Sequence, residues 1–101
     1  MILQEILYKV RIRSIHGKLD VNIQNLQLDS RKVNTGSAFI AVKGTNKDGH
    51  QFIEAITPLM PAAIICEQMP ANLQEGITYI QVEDSAAASG LLALAWCLPI
   101  C

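Results

Sequence analysis

Positive charge is scarce in this chain of 101 residues: eight Lys and Arg stand against nine Asp and Glu, for a formal net charge of −1. That balance excludes the surface of a nucleic-acid-binding protein, which needs clustered cations with aromatics among them. Lys9, Arg11, Arg13 and Lys18 make the one basic cluster, no Phe, Trp or Tyr interleaves with them, and they read as a solvated face beside the first helix. Long apolar runs are lacking too. The longest tract, Ala86 to Ile100, is interrupted by Ser89, Gly90 and Pro99, and a bilayer needs ~20 apolar residues, so no membrane anchor is expected. Met1 to Glu5 carries no basic leader, and Glu5 and Lys9 break the apolar residues that follow; a secretory signal is not expected and the chain reads as cytoplasmic. Cys66, Cys97 and Cys101 are an odd number, which argues against a disulfide framework. Neither His16 nor His50 combines with Cys97 and Cys101 in a zinc spacing, so no metal site is expected. Internal repeats and low-complexity segments are absent.

Half of the residues are hydrophobic, enough for one domain spanning 1–101 with a single core, and too few in total for a second. Leu3, Ile6, Leu7 and Val10 recur at helical spacing and predict an amphipathic first helix, with Gly17 marking the break after it. Val21, Ile23, Leu26 and Leu28 alternate imperfectly and predict a strand with a bulge near Asn25. Ala38 to Val42 predicts a buried strand. A second helix is expected through Phe52, Ala55, Ile56 and Leu59, ending or kinking before Pro58. Ala62–Cys66 and Ile77–Val82 predict two further strands, the latter rich in β-branched and aromatic residues. Asp84 or Ser85 then caps a helix through Leu91, Leu92, Leu94, Ala95 and Trp96, stopped by Pro99. Strands alternating with helices predict an α/β fold, with a small mixed or largely parallel sheet and flanking helices.

The chemistry concentrates around the central strand. Leu28-Asp29-Ser30-Arg31 precedes it, while Lys43-Gly44-Thr45-Asn46-Lys47 and Asp48-Gly49-His50 follow it. If the strand ending at Leu28 runs parallel to the central one, these loops meet at one sheet edge and form a ligand site. Gly44 and Gly49 would let backbone approach a diphosphate closely, Ser30, Thr45 and Asn46 offer neutral hydrogen bonds, and Arg31 and Lys47 add charge. The segment ending in Lys47 is not a nucleotide-binding P-loop: no glycine immediately precedes the lysine, and Asp48 stands where Ser or Thr would hold magnesium. Structural readings compete at each position. Asp29 and Arg31 can pair with each other or cap backbone, Gly36, Gly44 and Gly49 can serve turns that need positive φ, and His50 has no nucleophile beside it.

These residues resemble the amino-terminal domain of the Mur ligases, ATP-dependent enzymes that add amino acids to the UDP-N-acetylmuramoyl peptide precursor of the bacterial cell wall. The resemblance runs from the first helix to about Leu94. It implies that Leu28 and Ser30 in the first loop, with Thr45, Asn46 and Lys47 in the second, bind the UDP moiety, and that Asp29, Arg31, Gly44, Asp48, Gly49 and His50 support them. It implies no catalytic residue in this chain. Within the family it points to the member that adds the third residue, acting on UDP-N-acetylmuramoyl-L-alanyl-D-glutamate. The member that adds D-alanyl-D-alanine, or a stand-alone nucleotide-sugar-binding module, is the alternative. ATP and Mg would belong to central and carboxy-terminal domains that residues 1–101 do not contain, so the chain alone is expected to be inactive. It departs from the family at Met60-Pro61, where a Gly-Ala type turn is usual, and from Trp96 to Cys101.

Overall fold

The computed structural model describes residues 2–7, 10–43 and 48–97, the last five as backbone alone. At its centre β3 (Ser37–Ile40) and β4 (Ala63–Cys66) lie side by side, and every residue of both is buried. β2 (Asn25–Gln27) pairs parallel on one side, and β5 (Thr78–Val82) pairs parallel on the other. β1 (Ile12–His16) adds to β5 antiparallel, giving the order β1-β5-β4-β3-β2. The mixed, mostly parallel sheet expected from the strand–helix alternation is therefore present, with the strand before Leu28 running parallel to the central strand.

Strand periodicity sorts the core into two layers. Ala38, Ile40, Ala63, Ile65, Ile80 and Val82 face one side, where they meet Leu3 and Ile6 of α1 (Leu3–Ile6) and Ala88 and Leu92 of α3 (Ser85–Cys97). Phe39, Ala41, Ile64, Cys66 and Tyr79 face the other, against Ile53 and Ile56 of α2 (Ile53–Ile56). Each connection between successive parallel strands contributes to this second layer: Val33 from the first, α2 from the second, Met69 and Ile77 from the third. Strands in sequential order with crossovers of one hand place their connections on one face. The Cys66 side chain is fully buried here as a free thiol, and burial pushes its pKa up to about 11. Among the described residues no helix is long and apolar enough to cross a membrane.

Several local expectations give way. The first helix is a single turn, because Leu3 and Gln4 donate their amides to the carbonyls of Val21 and Leu19 at 2.9 and 3.0 Å and the chain then leaves to form β1. Gly17 ends that strand rather than a helix: its φ of +113° turns the chain, and a Cβ there would come within 3.0 Å of Thr78. Arg13 accordingly lies on an edge strand and Arg11 just before it, Arg11 facing Glu83 at 4.0 Å. The irregularity in pairing falls between Ile12 and Ser14 instead of near Asn25, which pairs in register with Ser37. α3 begins as expected, with Asp84 accepting from the Ala87 amide at 3.1 Å. Pro99 and Cys101 lie outside the described residues.

α2 stops before Pro58 as expected. It tightens into a 3₁₀ turn (Thr57–Leu59) whose carboxyl end is capped by Met60 at φ 53°, ψ 58°. This is the left-handed position that usually holds glycine, so the departure at Met60 is a strained one. Met60→Gly should relieve about 1–2 kcal/mol of left-handed strain and lose part of that to the greater freedom of glycine in the unfolded chain. A rise of a few degrees in melting temperature is expected, whereas Met60→Ala, which keeps the Cβ, should give none. Equal melting points for the two variants would show that the cap is not strained.

Candidate functional site at the carboxyl edge of the sheet

The parallel strands all end at one edge, and the polar segments picked out in the sequence emerge there, where ligands settle in open α/β sheets. After β2 the chain turns at once into a 3₁₀ turn (Ser30–Lys32). Asp29 caps it, its Oδ1 accepting from the Arg31 amide at 2.9 Å, and its carboxylate also receives Arg31 Nε at 3.1 Å and Nη2 at 2.9 Å. Asp29 and Arg31 thus take the structural role the sequence allowed them. Those bonds from the Arg31 side chain, then its amide, hold the Asp29 carboxyl at about 2 and raise the guanidinium further. Leu28 is 57% exposed at the same turn, an unusual position for leucine in a packed domain. Ser30 keeps its hydroxyl free of partners among the described residues.

The second polar segment begins at Lys43 and ends at Asp48, which face each other in an isolated antiparallel bridge. Gly44, Thr45, Asn46 and Lys47 themselves lie outside the described residues. Gly49 returns the chain to β3 by donating its amide to Val42 O at 2.8 Å. Glycine is needed there for proximity, not for positive φ: a Cβ would sit 2.8 Å from Val42 N and 3.0 Å from Ala41 Cα. Gly36 is likewise a close-approach glycine, set against the Gln24 side chain.

His50 is tied on both ring nitrogens. Nε2 accepts from the amides of Glu67 at 2.8 Å and Gln68 at 3.2 Å, so it carries no proton, and Nδ1 therefore donates to Asp48 Oδ1 at 2.5 Å. The Asp48 carboxylate also takes the His50 amide, and these two bonds lower its pKa. His50 is thus a bracket between the loop after β3 and the loop after β4, as its sequence context suggested. A 3₁₀ turn (Gly49–Phe52) carries the chain on to α2.

Leu28, Asp29, Ser30, Arg31 and Phe52 line one open groove of ≈ 540 Å³. The structure so unites the first loop with the turn that follows Asp48-Gly49-His50, and adds Phe52, which the sequence had offered only as a helix residue. Its aromatic ring next to an Asp-Gly-His turn was the available signal. Glu67 also went unnoticed, and Ser85 was offered only as a helix cap. The Glu67 carboxylate accepts from Ser85 Oγ at 2.6 Å and Ser85 N at 2.8 Å, which keeps it ionised to lower pH than usual, and Ser85 Oγ accepts in turn from the Lys43 amide at 2.8 Å. Among the described residues no group of three His, Cys, Asp or Glu side chains is placed to hold a metal.

Comparison with known proteins identifies the relatives of this arrangement. Residues 22–96 match the family model described as Mur ligase family, catalytic domain. The chain is 45% identical over 93 residues to UDP-N-acetylmuramoyl-L-alanyl-D-glutamate--2,6-diaminopimelate ligase of Bacteroides fragilis, covering 92% of this chain and 19% of that protein. It is 42% identical over 94 residues to the protein of the same name from Cytophaga hutchinsonii, with the same coverage of 92% and 19%. Among solved structures it superposes on UDP-N-acetylmuramoylalanyl-D-glutamyl-2,6-diaminopimelate--D-alanyl-D-alanyl ligase from Acinetobacter baumannii with a TM-score of 0.76 at 23% identity, over 93% of this chain and 21% of that one. MurF ligase from Thermotoga maritima, solved in complex with ADP, gives a TM-score of 0.60 at 33% identity, over 74% and 17%. The chain spans about a fifth of the length of the curated relatives it matches.

Two measurements check this geometry. Gly49→Ala should destabilise the chain by about 1–3 kcal/mol in denaturant unfolding, the usual cost of forcing atoms into a packed site; an unchanged midpoint would refute the close approach. Asp29, followed by carboxyl NMR, should titrate near 2. Because its folded pKa lies below the ordinary value of 3.8, its pairing stabilises the chain above that value and is lost as pH falls towards 2. In Arg31→Ala the midpoint should return towards 3.8, and a midpoint that stays put would mean the ion pair does not form.

Proposed function

This chain belongs to the Mur ligase family, and we propose that residues 1–101 are the amino-terminal, uridine-diphosphate-anchoring domain of an ATP-dependent ligase of peptidoglycan precursor synthesis. The substrate is UDP-N-acetylmuramoyl-L-alanyl-D-glutamate and the step is addition of the third amino acid. The observation that carries this reading is the groove itself. Exposed Leu28, a Ser30 hydroxyl without a partner among the described residues, and Phe52 meet at the carboxyl edge of parallel strands, in a chain 45% identical to a protein named for that substrate. Leu28 offers an apolar surface to a base, Ser30 a hydroxyl to a phosphate or ribose oxygen. By resemblance to the family, Thr45, Asn46 and Lys47, with Gly44, are assigned to the same site, and Gly49 brings the following turn close to Val42. The D-alanyl-D-alanine-adding enzymes are the weaker reading, since the 23% identity of their Acinetobacter baumannii member supports fold alone.

The residues at this edge do not fit ATP and magnesium. Asp48, at the position where a P-loop has Ser or Thr, is committed to the amide and ring of His50. We assign ATP-dependent activation of the substrate carboxylate to further parts of the ligase, and to this domain the anchoring of a distant nucleotide. Binding energy gained far from the reacting carboxylate serves to orient it. The domain acts in the cytoplasm on a nucleotide-linked precursor and needs neither nucleic acid nor membrane.

NMR titration of the chain with uridine 5′-diphosphate should shift the amides of Leu28 to Arg31 and of Gly49 to Phe52, with a much weaker response to ADP. Ser30→Ala should weaken uridine diphosphate binding by about 1.5–3 kcal/mol if the hydroxyl donates to a charged oxygen, with an unchanged melting temperature because it has no partner among the described residues. Equal responses to the two nucleotides, or unaltered affinity in Ser30→Ala, would overturn the assignment.

A further inference from the structure

Both ends of the segment between Lys43 and Asp48 are tied to one residue that no part of the ligand reading includes. From Lys43 the tie runs through a side chain: its amide donates to Ser85 Oγ at 2.8 Å, and that hydroxyl donates to Glu67 Oε2 at 2.6 Å. From Asp48 it runs through a ring: the carboxylate takes Nδ1 of His50, whose Nε2 accepts the main-chain amides of Glu67 at 2.8 Å and Gln68 at 3.2 Å. Ser85 is fully buried at the start of α3, so its hydroxyl has one arrangement that satisfies both neighbours: it accepts from Lys43 and must therefore donate to Glu67. Gln81 Nε2 donates to Glu67 O at 3.0 Å and fixes the residue from the β5 side.

We propose that Glu67 is a positioning residue for the nucleotide site: its carboxylate holds the Lys43 end of the second loop through Ser85, while its main-chain amide receives the Asp48 end through His50 whatever the side chain, and neither touches the ligand. The proposal rests on the uridine diphosphate reading above. Its chemistry is specific: position 67 must present an acceptor to Ser85, and charge is not required. Glutamine keeps that acceptor, whereas alanine leaves the Ser85 hydroxyl and the Lys43 amide chain without an end.

The test compares Glu67→Gln and Glu67→Ala in the whole chain by hydrogen exchange at the Lys43 amide and by uridine 5′-diphosphate titration, with Ile64→Val as a core control that lowers stability without touching the edge. Glu67→Ala should speed Lys43 exchange and weaken uridine diphosphate binding, each about tenfold. Glu67→Gln should restore both to within about twofold, and Ile64→Val should leave affinity unchanged. Should Glu67→Ala fail to fold, Ser85→Ala removes the same link and carries the same two expectations. Unchanged Lys43 exchange and affinity in the alanine variant, or equal losses in the glutamine one, would overturn the proposal. If the unaltered chain binds no uridine diphosphate, the ligand reading falls, and Lys43 exchange alone then decides whether the Glu67 carboxylate anchors the Lys43 end of the loop.

Discussion

Burial of β3 and β4 on both faces is the constraint on which everything else in this structure rests. Phe39 and Ile64 fill one layer while Ile40 and Ile65 fill the other, so the two central strands have little room for a polar side chain between their ends; Ser37, at the amino end of β3, is buried and is satisfied by the Asn34 amide and the Asn25 side chain. The backbone groups of both strands are consumed by the ladders to β2 and β5. Polar chemistry is left with the strand ends, and parallel strands put like ends together. That the candidate site lies at the carboxyl edge follows from the core, not from the loops.

At that edge the polar residues divide by what they touch. Asp29 and Arg31 satisfy each other and the turn they sit on. Asp48 and His50, with Glu67 and Ser85, join the ends of three strands across gaps that no backbone ladder spans. What is left facing the groove among the described residues is small: an exposed leucine, a serine hydroxyl without a partner among them, and one aromatic ring.

The features legible in the sequence were those carried by contiguous residues. Ile77 to Val82 and Ala62 to Cys66 announce buried strands by composition alone, and Pro58 announces the end of α2 by its missing amide. Leu28 to Arg31 and Asp48 to His50 stood out because polar and glycine residues flank an apolar strand on both sides. β1 escaped because Arg11, Arg13, Ser14 and His16 leave it little apolar character; it forms by pairing with β5, a partner distant in sequence. The Glu67–Ser85–Lys43 chain escaped for the same reason in stronger form, as its three members become neighbours only when the sheet and α3 close together. Of the two roles open to Gly49, close approach and positive φ, the structure shows the first towards Val42, because a sequence shows that a residue lacks a Cβ and not which atoms would have met it.

The two borders of the sheet have a consequence for the molecule in a crowded solution. A strand border presents unpaired amides and carbonyls that can recruit another chain. Here one border, β2, has only the span Asn25–Gln27 to offer, too little for a foreign strand to grip. The other, β1, is thrown out of regular pairing between Ile12 and Ser14 and carries exposed arginines, so an incoming strand would meet a kinked ladder and positive charge. An apolar sheet can thereby be solvated at its margins and stay a discrete body instead of seeding fibres.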